Sequence, residues 1–484
     1  MLHDLKTLIL SFHPIIVIET VEEERVSGII STACADLSLP LLDWSLTRGL
    51  RVGSGDSIHG TTSPQGALEH LRVLDFEAVV HLKDFATHFE SPELARSFRE
   101  VAEKFSRNHS TLILTGRSVR LPGEVEHLAV HLDLALPGRD ELRDLLRSVV
   151  STMRSRMGVR VQLTPDDATR LVECLSGLTI DQARQVLAYA MVEDGVLTVE
   201  DVRTIIERKA KILRSTGILE LYPAQENRFE IGGFGKLREW LDRAKLGFSQ
   251  AARRYNLQPP KGILLVGVQG CGKSLAAKVI AREWQMPLLK LDAGRLYDKY
   301  VGESEKNLRE AIRIAETMAP TVLWIDEIEK GFGSGRSSSQ DGGLSARLFG
   351  TLLTWLQEKK ETVFVIATAN HLDILPPELL RKGRFDEIFF VDLPDPDERR
   401  EIFRIHIEAR NQHPVERFDL DTLVEKTNGF SGAEIEQAIV SAVYRALHAD
   451  REVDTNLLVE EIEGTIPLSV SRAEDLAELR KQAT

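Results

Sequence analysis

The run Gly267-Val268-Gln269-Gly270-Cys271-Gly272-Lys273-Ser274 decides how the whole chain is read. It follows the apolar stretch Ile263-Leu264-Leu265-Val266 and leads into Leu275-Ala276-Ala277-Lys278-Val279-Ile280-Ala281, a buried strand joined by a loop to a helix. The spacing fills the pattern G-x-x-x-x-G-K-[S/T] in the strand-to-helix setting that gives the pattern its meaning. Glycines let such a loop turn its N–H groups inward, and the helix N-terminus adds partial positive charge, so polyphosphate is held mostly by main chain. Lys273 is expected to reach the β- and γ-phosphates of ATP and Ser274 to ligate Mg²⁺. Gly267, Val268, Gln269, Gly270, Cys271, Gly272 and Leu275 complete the expected nucleotide contact. The alternative is a glycine-rich turn into a structural helix; strand, spacing and the Lys-Ser pair together stand against it.

Around this motif lies a chain of 484 residues, too long for one hydrophobic core, so two or more α/β domains are expected. A net charge of -13 argues against nucleic-acid binding through bulk charge and for proteins or small anions as partners. The three cysteines, Cys34, Cys174 and Cys271, lack C-x-x-C spacing, which suits a reducing compartment and implies neither zinc nor disulfide. The N-terminus has no basic n-region and its apolar run is broken at His13-Pro14, unlike a signal peptide. No window reaches the length of a membrane span, so a cytoplasmic location, or an organelle interior, is expected.

Upstream of the motif, strands are expected at Pro14 to Thr20, Leu39 to Trp44, Ala78 to Leu82 and Thr111 to Thr115, with helices at Glu22 to Cys34 and Pro92 to Phe105 and a loop over Arg51 to Gly66. Strands separated by helices predict a parallel, helix-covered sheet. From about Asp140 to Ile218 the periodicity is helical only. The second half repeats this plan. Met286-Pro287-Leu288-Leu289 answers Leu39-Pro40-Leu41-Leu42, and Thr321 to Glu327 answers Ala78 to Asp84. Leu393 to Glu398 answers Leu136 to Glu141, and Gly429-Phe430-Ser431 answers Gly177-Leu178-Thr179. In the first copy the strand is followed by Glu19-Thr20-Val21-Glu22-Glu23-Glu24-Arg25, without glycine or lysine and with carboxylates that would repel phosphate. That copy is expected to bind no ATP and to serve docking or assembly.

Trp324-Ile325-Asp326-Glu327 ends an apolar strand with two carboxylates that strand geometry aims differently. Asp326 is expected to hold Mg²⁺ through water and Glu327 to activate the hydrolytic water. The strand Val363 to Thr368 leads to Asn370, whose amide could bond the γ-phosphate or, alternatively, cap a turn. Arg381 and Arg384 flank Gly383 as an anion-binding pair, with surface ion pairs as the alternative.

From about Glu230 onward these motifs resemble an AAA module of the AAA+ superfamily. The resemblance rests on Ile231-Gly232-Gly233, the phosphate loop and Asp-Glu pair as the two Walker motifs, Asn370 as sensor 1, and Arg381 and Arg384 as a finger pair. It implies a P-loop parallel sheet with a helical lid, nucleotide contacts from Gly232, Gly432 and Ala433, and fingers that act on ATP in the neighbouring subunit of a ring, usually a hexamer. The family's usual Pro-Pro and Thr in the loop are Val268-Gln269 and Cys271 here, and Leu356-Gln357-Glu358 replaces its Asp-Gly. Those departures and the degenerate first half are similar to AAA ATPases encoded in plastid genomes and cyanobacteria, where the location would be the plastid stroma. The domain plan implied is 1–135 (degenerate α/β), 136–220 (helical), 221–393 (ATPase α/β) and 394–484 (helical lid).

Tyr300-Val301-Gly302 resembles the pore loop with which AAA remodellers grip unfolded polypeptide, an aromatic offering large apolar area. The alternative packs Tyr300 under its own helix with Ser304 as cap. Gly331 to Gly343 is rich in Gly and Ser and is expected to be a flexible loop near the same channel. The expectation is a ring-forming protein remodeller driven by ATP hydrolysis, with a nucleotide-switched scaffold for a partner protein as the rival reading and a nucleic-acid motor disfavoured by the acidic balance.

Overall fold

The computed structural model describes residues 1–53, 55–215, 217–222, 234–248, 252, 254–296, 303–332, 344–371, 375–381, 383–410 and 414–482. They form two compact units, residues 1–145 with 178–185, and 146–177 with 186–484.

In the first unit the apolar runs become β1 (Ile15–Glu19), β2 (Leu41–Ser45), β3 (Gly49–Val52), β4 (Val79–Lys83), β5 (Thr111–Gly116) and β6 (Ala129–His131), in the order β3-β2-β4-β5-β1-β6. All neighbours are parallel except β2 and β3, which form an antiparallel hairpin. Strand parity sends Ile15 and Val17 into one core and Ile16 and Ile18 into another, so both faces of the sheet are covered, as parallel strands require. The amphipathic helix Pro92–Asn108 buries Leu94, Phe98, Val101, Ala102 and Phe105, and stops where His109 takes a left-handed conformation. Its N-terminus is capped by Ser91, which accepts from the Leu94 amide.

The second unit contains β7 (Arg160–Val161), β8 (Val196–Leu197), β9 (Leu219–Tyr222), β10 (Gly262–Gly267), β11 (Leu288–Asp292), β12 (Thr321–Asp326), β13 (Val363–Ala369) and β14 (Glu387–Val391). Its large sheet has the order β14-β10-β13-β12-β11-β9, parallel apart from the antiparallel edge strand β9. Substituting strand for strand, this is the order of the first sheet, including one antiparallel edge strand beside the second parallel strand. Beyond β14 the helices Pro396–Arg410, Leu420–Lys426, Gly432–His448 and Thr455–Glu463 close on a separate core around Phe403, Leu423, Ile435 and Leu458.

All four sequence correspondences between the halves recur as the same local geometry. Pro40 and Pro287 carbonyls accept from the Val79 and Val322 amides at 3.0 and 2.9 Å. Asp84 and Glu327, each just past its strand, share a left-handed backbone with φ 52° and 49°. Gly138 and Asp395 amides donate to Glu141 and Glu398, both at 3.0 Å. Thr179 and Ser431 open their helices with reciprocal hydrogen bonds to Gln182 and Glu434, behind glycines at φ 86° and 80°.

The parallel sheets expected from the sequence are both present, each with one antiparallel edge strand added, β3 in the first and β9 in the second. Two local expectations need correction. The supposed loop from Arg51 begins inside β3, and Pro64–Arg72 is already helix; Gly49–Val52 and Leu219–Tyr222 are four residues each, too short for a hydrophobic pattern to announce a strand. The helical stretch also holds the short parallel pair β7 and β8, each only two residues long and beneath the reach of periodicity.

Candidate active site

β10 delivers the glycine loop. Gly267 lies against β14 so closely that a Cβ would stand 2.0 Å from the Val391 carbonyl oxygen, so the strand pairing itself demands glycine there. Gly270 and Gly272 take φ of 83° and 86°, which L side chains resist, and turn the chain into the helix Lys273–Glu283. Val268 and Cys271 are buried beneath the loop. Burial pushes the Cys271 thiol up to about 12, so it stays uncharged where an anion would sit. Lys273 is buried and donates to the Gly267 and Val268 carbonyls at 2.7 and 2.8 Å. Burial lowers its pKa, opposed by the neighbouring Cys271 and by the carboxylates of Glu329, Asp326 and Glu327.

Asp326, at the end of β12, accepts from Ser274 Oγ at 3.2 Å and Thr368 Oγ1 at 2.8 Å through Oδ1, and pairs through Oδ2 with Lys290 at 3.0 Å. A serine hydroxyl facing a carboxylate is a hard oxygen pair of the kind Mg²⁺ takes alongside substrate phosphate, so these residues fit that ion. Glu327 is turned aside by its left-handed backbone, and its amide donates to Thr368 Oγ1 at 3.0 Å. Asn370 Nδ2 donates to Glu327 Oε1 at 3.3 Å, so its amide engages the carboxylate across the two strands. The Asn370 amide N–H in turn donates to Glu329 at 2.9 Å. Lys330, one helical turn on, forms an ion pair with Glu327, which raises the lysine's pKa. β12 and β13 thus bring two carboxylates, Asp326 and Glu327, and the neutral amide of Asn370 to the mouth of a glycine loop.

Residues 263–393 match the profile of the ATPase family associated with various cellular activities (AAA), and residues 417–460 match the AAA+ lid domain. The "Uncharacterized AAA domain-containing protein ycf46" of Pyropia yezoensis is 38% identical over 484 residues, 99% of this chain and 97% of that protein. The chain belongs to the AAA family of ATPases. The protein of the same name from Guillardia theta is 37% identical over 484 residues, covering 99% of this chain and 94% of its own. The first half of this AAA chain has its own likeness: residues 1–134 match the SpoVK-like AAA ATPase N-terminal domain and residues 140–216 the second domain of that group. The Cell division cycle protein 48 homolog of Archaeoglobus fulgidus is 38% identical over 212 residues, only 43% of this chain and 28% of that protein.

The loop of the AAA module opens on a cleft of 1410 Å³ lined by Gln269 to Leu275, Asp326, Glu327, Asn370, Gly432 and Ala433. Gly432 and Ala433 arrive from the lid helix Gly432–His448, whose Ala433 amide donates to the Gly270 carbonyl at 3.1 Å. Arg381 and Arg384 do not line this cleft. Arg381 is exposed and Arg384 donates to the Glu378 carbonyl, so within one chain the pair stands apart from the loop. Gly232, Tyr300, Val301 and Gly302 lie outside the described residues, as does most of the stretch from Gly331 to Gly343.

Several lining residues are new. Phe234 sits 3.7 Å from the position a Cβ on Gly272 would take, beside the loop. His406 comes from the lid helix Pro396–Arg410; Arg410 donates to its Nδ1, which leaves the proton on Nε2, and burial lowers its pKa. Neither position carries a periodic or spaced signal. Thr368 does: strand parity puts it on the same face as Asn370, and β12–β13 pairing sets it beside Asp326.

Proposed function

We propose that this AAA chain is a magnesium-dependent ATP hydrolase, converting ATP and water to ADP and phosphate, which works as a homo-oligomeric ring of six subunits and remodels protein substrates. The observation that carries the reading is the coupling of Asn370 to Glu327 across two strands, next to Asp326, Ser274 and the buried Lys273. A binding site that only held nucleotide would have no use for a base-type carboxylate aligned by a neutral amide. Lys273 neutralises phosphate charge, and Ser274 and Asp326 hold the ion, which supplies electrophilic stabilisation of the phosphoryl oxygens when bound. Glu327 accepts a proton from the attacking water, and Asn370 orients that water and the γ-phosphate. Arg381 and Arg384, remote from their own loop, act on ATP held by the next subunit, and Tyr300, Val301 and Gly302 grip the polypeptide, a role resting on their sequence. No described helix is long and apolar enough to cross a membrane; the cytoplasm, or the stroma where a plastid carries the gene, is the proposed setting.

Glu327→Gln should retain ATP affinity and lose turnover by at least about 10²-fold, as expected when a general base is removed. Turnover within a few fold of wild type in this variant would overturn the assignment of Glu327 as the base, and wild-type protein without ATP turnover would overturn the hydrolase reading. An unfolded polypeptide should stimulate wild-type turnover; hydrolysis indifferent to any polypeptide would favour the nucleotide-switched scaffold over the remodeller.

A further inference from the structure

A lysine stands against the metal-type carboxylate. Lys290 lies on β11, directly across from Trp324 on β12 and, on its other side, across from Glu220 on the edge strand β9. Its Nζ is 3.0 Å from Asp326 Oδ2 and 4.3 Å from the centre of the Trp324 ring, so the ammonium is steadied by an aromatic face while it pairs with the acid. Among the described residues it is the one cation within ion-pair distance of Asp326, whose other oxygen receives only hydroxyls. Glu220 is held in place by Arg214, at the end of the helix Asp201–Ser215, and by the Tyr222 hydroxyl at 3.0 Å. Tyr222 in turn lies under Lys278 of the phosphate-loop helix. The β9–β11 ladder thus sets two ion pairs side by side, the outer Arg214–Glu220 and the inner Lys290–Asp326. The outer members belong to the segment matching the SpoVK-like second domain and to the strand that follows it.

We propose that Lys290 is a positioning residue that competes with the divalent cation for Asp326, and that Glu220 on β9 sets the strength of that competition by drawing Lys290 away. The inference rests on the reading of Asp326 as a metal-holding residue. Lys290 holds Oδ2 while an ion beside Ser274 would lie on the Oδ1 side, so the two cations share one carboxylate through different oxygens and oppose each other by charge; a unit charge at this range in a part-exposed site changes a neighbouring cation's affinity by roughly fivefold or more.

The two partners predict opposite signs, which mere loss of packing would not produce. The probe is Mn²⁺, titrated into the full-length chain saturated with a non-hydrolysable ATP analogue, with the free ion followed by electron paramagnetic resonance and the analogue alone as baseline. Lys290→Met should tighten Mn²⁺ binding about fivefold, Glu220→Gln should weaken it about two- to threefold, and Lys290→Arg should stay near wild type. The double variant Lys290→Met/Glu220→Gln should match Lys290→Met, because Glu220 acts only through the lysine. Unchanged affinity in Glu220→Gln, or shifts of the same sign in both single variants, would overturn the inference. Wild-type protein that adds nothing to the analogue's own Mn²⁺ affinity would instead overturn the reading of Asp326 on which it rests.

Discussion

The corner after β1 and the corner after β10 occupy the same place in the same strand order, and they are filled with opposite charge. After β10, Val268 to Gly272 lead into a helix whose first residue is Lys273; after β1, only Thr20 to Glu22 precede a helix whose first residue is Glu23. The position of Asp326 at the end of β12 is taken at the end of β4 by Lys83, which pairs with Glu23 at 2.9 Å. The lysine and the acid have changed sides. Where the lid helix of the AAA module touches the loop through the Ala433 amide, the corresponding helix of the first unit gives its Ile180 amide to Glu22 at 2.7 Å. Glu22 is buried and also pairs with Arg25, which reaches Glu141 and the Ala135 carbonyl. A helix N-terminus that could receive an anion already has one from its own chain. A short loop with a built-in carboxylate thus stands where the AAA module has its glycine loop, and the expectation is that the first unit binds no nucleotide.

The largest expected effect tests whether one half alone binds ATP. Isothermal titration of the full chain should show one site per chain, and Lys273→Ala should lower affinity at least about a hundredfold, since a buried charge-assisted contact to phosphate is lost. A micromolar site persisting in Lys273→Ala would place nucleotide in the first unit and break the contrast.

Next comes complementation between subunits. Glu327→Gln and Arg384→Ala proteins should each be inactive, yet an interface between the intact Glu327 of one and the intact Arg384 of the other is complete. In randomly mixed rings at equal ratio about a quarter of the interfaces have that composition, so about a quarter of wild-type turnover should return. No recovery in rings shown to be mixed would confine the arginines to their own subunit.

A smaller effect concerns the first corner. Glu22→Ala strips the Ile180 amide and one contact of Arg25 and should destabilise the first unit by about 2 kcal/mol in chemical denaturation, with Glu22→Gln costing less because its carbonyl still accepts. ATP turnover should be unaffected. A change under about 0.5 kcal/mol would mean the corner is held by its apolar packing instead.

A pH slope tests the second unit in the same way. At the amino ends of the strands both units use a threonine hydroxyl, Thr111 Oγ1 donating to the His13 carbonyl at 3.0 Å and Thr321 Oγ1 to the Pro287 carbonyl at 2.9 Å, and the second adds Lys359, which donates to the Lys261 carbonyl at 2.7 Å. Burial pushes the Lys359 amine down to about 7. Unfolded, that amine keeps its proton to about 10.4, so between about 7 and 10 the unfolded chain binds more protons and stability rises with pH; below 7 both forms are protonated and the cost of burying the charge is fully present. Denaturation midpoints of the second unit should climb from pH 7 to 9, and Lys359→Met should flatten the climb. An unaltered slope in that variant would assign the titration elsewhere.

Much of the site could be read from spacing. Lys273, Ser274, Asp326, Glu327 and Asn370 are each tied to the end of an apolar strand, and a parallel sheet gathers such ends on one side. Lys290 and Phe234 escaped notice for a common reason: each lies beside a neighbour distant in sequence, and the residue type alone says nothing of that neighbour; Thr368 was legible from strand parity and was passed over. Lys290 is one polar residue in the run Leu288–Asp292 until β12 sets Trp324 and Asp326 beside it.

What the sequence determined by itself is the list of local decisions: which runs are apolar enough to be strands, where glycines permit a loop around phosphate, and where carboxylates forbid it. Those follow from side-chain chemistry within a few residues, which is why the four correspondences between the halves were visible without coordinates and reappear as matching hydrogen bonds. Tertiary structure decided what long-range pairing alone can decide. It placed the weak strands β3 and β9 at the sheet edges, where a strand needs to satisfy only one neighbour and so needs little hydrophobic signal of its own. It also set Lys290 against Asp326 and Glu22 against the Ile180 amide, contacts whose energy comes from proximity of charge and dipole that no run of residues contains.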